Sequence, residues 1–325
     1  MSADLPNGVD EFLVGAGWGG AKIEPLPGDA SFRRYFRIRR GAETAMLMDA
    51  PPPHEDPGPF LHVGHWLIDH GLRAPRIYAE EAERGLVLIE DFGTDRMRDW
   101  LDDNPSAETE TYVAAVDALV ELHNCPPGPF PSYDMATYLR EVRLFIEWFC
   151  PAAGIETDTA SYDAAWEEVL TPLLERQQPG LTVLRDYHAE NIMLLPGGGQ
   201  GLIDFQDALV GHPAYDLVSL LQDARRDVLP ELETAMLDHY TGKVDCGPEF
   251  AADYARLGAQ RNAKIVGIFT RLWKRDGKAR YLSMIPRVWE AMERDLAHPA
   301  LAPVASWFTA NVPAEWREKR GGGLG

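Results

Sequence analysis

Hydrophobic and polar positions follow two different periods along this chain, and the period changes near residue 93. Before it, residues 32–39 place Tyr35, Arg37 and Arg39 on one face and Phe36 and Ile38 on the other. That period of two is the signature of a half-buried strand. Gly28-Asp29-Ala30-Ser31 and Gly41-Ala42-Glu43-Thr44 are turn chemistry, and residues 45–48 form a short apolar run. A three-strand meander is therefore expected over residues 26–49. Residues 58–70 suit a helix, and residues 86–89 an apolar strand that stops at Glu90-Asp91-Phe92-Gly93. After residue 94 the spacing turns helical. Val113, Val116, Leu119 and Val120 recur behind Asn104-Pro105-Ser106 and the acidic Glu108 and Glu110, as a helix start requires. Further helices are expected over residues 135–149, 162–177, 217–224, 229–240, 250–270 and 284–296. One island of strand interrupts them, at 181–184, 192–195 and 201–203. The pattern predicts an α+β chain with a sheet-rich first lobe over residues 1–92 and a mainly helical lobe over 93–325.

Composition narrows the partners. The chain has 325 residues, 45% of them hydrophobic and 25% charged, enough for a substantial core and too ordered a mixture for a disordered chain. Its net charge of −20 would repel nucleic acid and anionic membranes. Cys125, Cys150 and Cys246 are widely spaced and form no CxxC pair, which argues against a disulfide framework and fits a reducing cytoplasm. The first residues lack the basic and apolar regions of a signal peptide, and no apolar run approaches the ~20 residues that span a bilayer. A cytoplasmic monomer with small-molecule partners is the expectation.

The chemistry lies in the strand island. Residues 192–195 and 201–203 are apolar runs joined by a Gly-rich turn, the pattern of a hairpin. Asn191 stands just before the first strand and Asp204 just after the second, so a hairpin brings them side by side. A carboxylate beside an amide oxygen is a hard-oxygen site suited to Mg²⁺ with water and phosphate ligands. Asp186 lies five residues before Asn191 on the loop feeding the hairpin, where it could accept a proton from a substrate hydroxyl. One Asp that orients the nucleophile, with an Asn and a second Asp that hold metal, is the division of labour in kinase phosphoryl transfer. A lone Asp and Asn five apart would more often be turn residues. The hairpin and its terminal Asp turn the balance towards catalysis.

The segment resembles the catalytic core of the aminoglycoside phosphotransferase and choline kinase-like family, a branch of the protein-kinase fold. That family's stretch reads H-G-D-x-H-x-x-N followed by I-D-[FW]. Asp186, His188, Asn191, Ile203, Asp204 and Phe205 match it, and the run from Gly211 to Leu217 resembles the family's G-x-P-x-x-D-L. Residues 28–35, 48–52, 203–207 and 271–281 are most similar to bacterial anomeric sugar kinases acting on N-acetylmuramate and N-acetylglucosamine in cell-wall recycling. The resemblance implies a two-lobe fold with a hinge near residues 89–93 and MgATP between the lobes. It implies Asp186 as catalytic residue, and Asn191 and Asp204 as metal ligands. It further implies nucleotide contacts from Ser31, Phe32, Arg33, Arg34, Glu90 and Phe92.

The chain departs from the family in three places. Leu184 and Arg185 replace the His and Gly before the catalytic Asp, and residues 45–48 contain no lysine to grip the nucleotide phosphates. Arg33 and Arg34, beside the Gly28–Ser31 turn, are the expected substitutes. His188 could hold substrate or brace its loop, Asp207 could touch metal or substrate or cap the following turn, and Asp216 is expected to fix the catalytic loop, with Arg185 as its candidate partner. Arg261, Lys264 and Arg271 share one helical face. In so acidic a protein they are candidates for substrate oxygens, including a lactyl carboxylate. The alternatives are a kinase of another small hydroxyl compound (an aminoglycoside, choline, homoserine or a ketosamine) and a pseudokinase binding module.

Overall fold

The period-two segments become strands. The computed structural model describes residues 5–27 and 33–325, so the whole Gly28–Ser31 turn and Phe32 lie outside the described residues. Helix α1 (Val9–Gly15) precedes the meander β1 (Lys22–Pro25), β2 (Arg34–Arg40) and β3 (Glu43–Asp49). Then come α2 (Gly58–Asp69), β4 (Ile77–Glu81), β5 (Leu86–Glu90) and α3 (Met97–Asp103). The five strands form one antiparallel sheet in the order β1-β2-β3-β5-β4. Alternation on β2 buries Phe36 and Ile38 with Ala45, Leu47, Leu86 and Leu88 against Val9, Phe12 and Leu13 of α1. Burial on that scale, roughly 25 cal/mol per Å² of apolar surface, is what holds the sheet to the helix. Strand β4 was not expected. It is an edge strand whose side chains are all partly or fully exposed, so it carries no apolar alternation to read.

Helices then dominate: α4 (Glu108–His123), α5 (Met135–Val142), α6 (Cys150–Ala152) and α7 (Thr159–Arg176). The single helix expected over residues 135–149 instead ends at Val142 and continues as a π-helical turn at Phe145–Phe149. Strands β6 (Leu181–Val183), β7 (Ile192–Leu194), β8 (Gln200–Leu202) and β9 (Leu209–Gly211) follow. Strands β7 and β8 pair as the expected antiparallel hairpin, and β9 pairs with β6. The chain ends in α8 (Ala214–Leu221), α9 (Pro230–Thr241), α10 (Phe250–Asp276), α11 (Ile285–Leu296), α12 (Ala302–Asn311) and α13 (Ala314–Glu318). Helix α10, 27 residues long, buries charged and amide side chains along with apolar ones, among them Asp253, Arg256, Gln260, Arg261 and Asn262. Buried groups of that kind must find partners within the fold.

The described chain divides into two compact units. One is Met1–Asp103 with Asn191–Asp207, the other Asn104–Glu190 with Ala208–Gly325. The hairpin thus belongs with the N-terminal sheet. Leu194 donates its N–H to Asp95 (2.8 Å) and Leu202 to Arg73 (2.8 Å). No helix among the described residues is long and apolar enough to cross a membrane.

Candidate active site

Three consecutive glycines, Gly197–Gly199, close the hairpin with φ of 90°, 98° and 87°. Only glycine adopts such angles without strain. The turn sets the register, with Ile192 opposite Leu202, and Ile203 donates its N–H to Asn191 O at 3.1 Å. The open end therefore brings Asn191 and Asp204 together: Asn191 Nδ2 lies 3.3 Å from Asp204 Oδ2. Asp204 Oδ1 accepts from Gln206 Nε2 at 2.9 Å. Asp204 is exposed and adopts a left-handed backbone, φ 61°. Asp tolerates that conformation better than most residues, and non-glycine residues held there gather at functional sites. Phe205 anchors this end, buried and stacked on Phe60 of α2 at 5.0 Å. The donor set, an exposed carboxylate whose oxygens meet neutral amides among the described residues, beside an amide that can present its oxygen, fits a hard divalent cation. Asp207 lies exposed three residues beyond.

The same unit separates the two arginines that the sequence treated together. Arg34 binds the buried Asp49 through Nε at 2.8 Å, and its guanidinium lies 5.6 Å from the Phe36 ring. Arg33 instead pairs with Glu55 at 3.5 Å and lies by Tyr35. Burial raises the Tyr35 phenol's pKa, and the Arg33 and Asp204 charges also act on it, so Arg33 and Asp204 share a neighbourhood. On β3, where a lysine is missing, Met48 pairs with Tyr35, whose hydroxyl lies 3.6 Å from its sulfur. Glu90 is held by both arms of Arg73 (2.8 and 2.6 Å), and Arg73 covers the Phe92 ring at 4.6 Å. Phe92 is buried against Gly201, where a Cβ would come within 2.4 Å of the ring.

In the second unit, the loop carrying Asp186 is held from behind. The Asp216 carboxylate accepts the N–H groups of Leu184 and Arg185 at 2.6 and 2.8 Å. Asp216 thus fixes the loop through its backbone. Burial pushes the Asp216 carboxyl up to about 7. Further on, Ala189 donates its N–H to Asp223 (3.2 Å), while Arg225 meets Glu190 (3.1 Å) and His188 Nε2 (3.3 Å). Burial pushes the His188 imidazole down to about 4, so the ring is neutral at pH 7.

Around Asp186 the charges are dense. Burial would raise its carboxyl, but Lys264 foremost, with Arg261 and Arg185, reverses this and holds it below the usual carboxylate range. Lys264 is itself committed, 3.0 Å from Glu141 and 3.3 Å from the Tyr215 hydroxyl. Arg261 is buried and donates to Ser219 Oγ at 2.7 Å. Its other terminal nitrogen has no hydrogen-bond partner among the described residues, nor has Nε of Arg271. Glu141 is the residue that sequence reasoning missed. Its buried carboxylate receives Arg185, Lys264 and the Tyr133 hydroxyl. Only the charge of Arg185, where the resembled family carries glycine, signalled that a buried counter-ion was needed. Nothing in the pattern of α5 pointed to Glu141.

The sequence profile of the phosphotransferase enzyme family matches residues 22–258. A protein of Caulobacter vibrioides named N-acetylmuramate/N-acetylglucosamine kinase is 37% identical, covering 98% of this chain and 99% of its own length. One of the same name from Pseudomonas aeruginosa is 36% identical, covering 95% of each chain. Among solved structures, the APH(2")-IIa protein of a streptomycin–ATP ternary complex superposes with a TM-score of 0.62 at 15% identity, over 92% of this chain and 98% of its own. Choline kinase LicA from Streptococcus pneumoniae gives 0.60 at 15%, over 87% and 98%. The α+β architecture is thus the protein-kinase-like one that the motif implied.

Proposed function

The chain belongs to the phosphotransferase enzyme family, and on that premise we propose that it is an ATP-dependent kinase of the anomeric hydroxyl of N-acetylmuramate, N-acetylglucosamine or both. The observation that carries the reading is the near-full-length likeness to two proteins of that name, combined with an Asp186 held ionised among cations. Such an enzyme would work where ATP and recycled amino sugars meet, in the cytoplasm.

Asn191 and Asp204 would hold Mg²⁺, which neutralises charge on the nucleotide phosphates when bound. Asp186 receives a hydrogen bond from the acceptor hydroxyl and takes its proton as the oxygen bonds to the γ-phosphorus and ADP departs. An anomeric hydroxyl is more acidic than an ordinary alcohol, so a carboxylate of low basicity suffices. Positioning and charge then carry most of the rate. Arg33, on the Tyr35 side, supplies the phosphate contact that the missing lysine would make. The segment up to residue 92, with Ser31, Phe32 and the backbone near Glu90 and Phe92, takes the nucleotide, and the chain from residue 93 the acceptor. The unpartnered N–H groups of Arg261 and Arg271 are suited to substrate oxygens. His188, neutral and against Arg225, braces the loop, while Asp207 stays a candidate contact at the exposed end.

Incubation with MgATP and N-acetylglucosamine should yield a sugar 1-phosphate, seen by ³¹P NMR. Transfer to choline or an aminoglycoside, with none to either amino sugar, would overturn the acceptor assignment.

A further inference from the structure

Arg185 occupies a backbone position that suits glycine. Its φ is 71°, and among the described residues only two other non-glycine residues, Asp204 and Arg320, have a positive φ. A glycine would make the same turn without strain, and the motif that this loop resembles has glycine there. The strain is therefore accepted for the sake of the side chain. That side chain is partly buried, 18% exposed, over the Tyr133 ring at 5.7 Å and paired with Glu141.

Glu141 serves more than Arg185. One carboxylate oxygen takes Arg185, and the other takes Lys264 Nζ at 3.0 Å and the Tyr133 hydroxyl. Arg185 and Lys264 are also two of the cations that act on Asp186. The buried Glu141 and the partly buried Asp186 thus share two partly buried cations, and the group of four is charge-balanced. Buried charges need such pairing. Glu141 anchors a terminal nitrogen of each to α5, and the charge of both favours the ionised form of Asp186.

We propose that Glu141 and Arg185 are a positioning pair that fixes Lys264 and the backbone before Asp186, and so the aim of Asp186 at an acceptor hydroxyl. This rests on the reading of Asp186 as the residue that receives the acceptor's proton. A pair of this kind sets where phosphate goes, to the acceptor or to water.

The test is a partition ratio, sugar phosphate formed against inorganic phosphate released, measured at saturating MgATP and N-acetylglucosamine. The fraction of folded enzyme cancels from this ratio, so a loss of stability alone cannot move it. Arg185→Gly is the main variant, because glycine suits the turn and the fold should persist; Glu141→Gln and the double variant complete the cycle. Each single variant should lower the ratio on the order of 10- to 100-fold, as a misplaced catalytic group does. The double should fall little further, since the two residues act as one unit. Glu141→Asp should recover part of the loss. Ratios within about twofold of the parent protein in both single variants would overturn the proposal. If the parent protein transfers to another alcohol and to no amino sugar, the acceptor assignment fails, and the same ratio with that alcohol decides the pair. If it transfers to no alcohol, both ideas fall together.

Discussion

The hairpin end and the Asp186 loop place carboxylates of the same chemistry in opposite surroundings. Asp204 is exposed, and among the described residues its oxygens meet the amides of Asn191 and Gln206. Asp186 feels the charges of Lys264, Arg261 and Arg185, of which Lys264 pairs with Glu141 and Arg185 donates its backbone N–H to Asp216. The difference suits the two roles proposed for them. A group that holds a hydrated cation must keep accessible oxygens, and neighbouring ammonium or guanidinium groups would compete for them. A group that receives a proton in a dry pocket would lose its charge to burial unless cations preserve it. Exposure suits the first role and a balanced cluster the second.

The largest effect should come from the buried side. Asp186→Asn keeps the shape and removes the charge, and kcat should fall roughly 10²- to 10⁴-fold, the range for a lost general base. Nucleotide affinity, measured by titration calorimetry, should barely change. A matching loss of nucleotide binding would erase the division of labour. Asp204→Ala should do the reverse, weakening Mg²⁺-dependent nucleotide binding by at least about 10-fold, by analogy with lost support at metal sites. Binding measured without Mg²⁺ should be insensitive to it.

The arginine pair sharpens the picture on the exposed side. Arg33→Ala should raise the KM for ATP on the order of 10-fold, the worth of one charged hydrogen bond. Arg34→Ala should leave that KM alone and lower Tm by about 2–4 °C, since it strands the buried Asp49. Exchanged outcomes would mean that alternation along β2 assigns the faces wrongly.

The smallest effect at neutral pH tests burial in the second unit. Burial pushes the imidazole of His123 down to about 3, with Nδ1 2.6 Å from the Tyr240 hydroxyl. A histidine whose folded pKa is depressed contributes stability that is complete above the unfolded value near 6.5 and is lost as pH falls towards 3. His123 should therefore withdraw about 1.4 kcal/mol per pH unit once pH is well below 6.5. Urea unfolding between pH 7 and 5 should show this slope, and His123→Gln should flatten it. An unchanged slope would place the acid-labile groups elsewhere.

The elements legible in the sequence were those with a local cause. The meander, the hairpin and most of the longer helices appeared where side-chain period or turn chemistry announced them. The edge strand β4 and the three-residue β9 were not legible, because neither is long or apolar enough to show a period. The nearness of Asn191 and Asp204 could be read directly, because a hairpin's register is decided by its own turn. The opposite faces of Arg33 and Arg34 were already implicit in the alternation of β2, but what each one touches was not.

The sequence by itself thus determined the family and the local geometry of the hairpin, both of which depend on residues near each other in the chain. Only the tertiary structure decided the electrostatics. Arg185 meets a carboxylate 44 residues away, and the lysine that shares it sits on another helix. A buried ion pair satisfies charge, not periodicity, so neither partner leaves a pattern along its own helix. Folding alone brought Glu141, Arg185 and Lys264 together around Asp186.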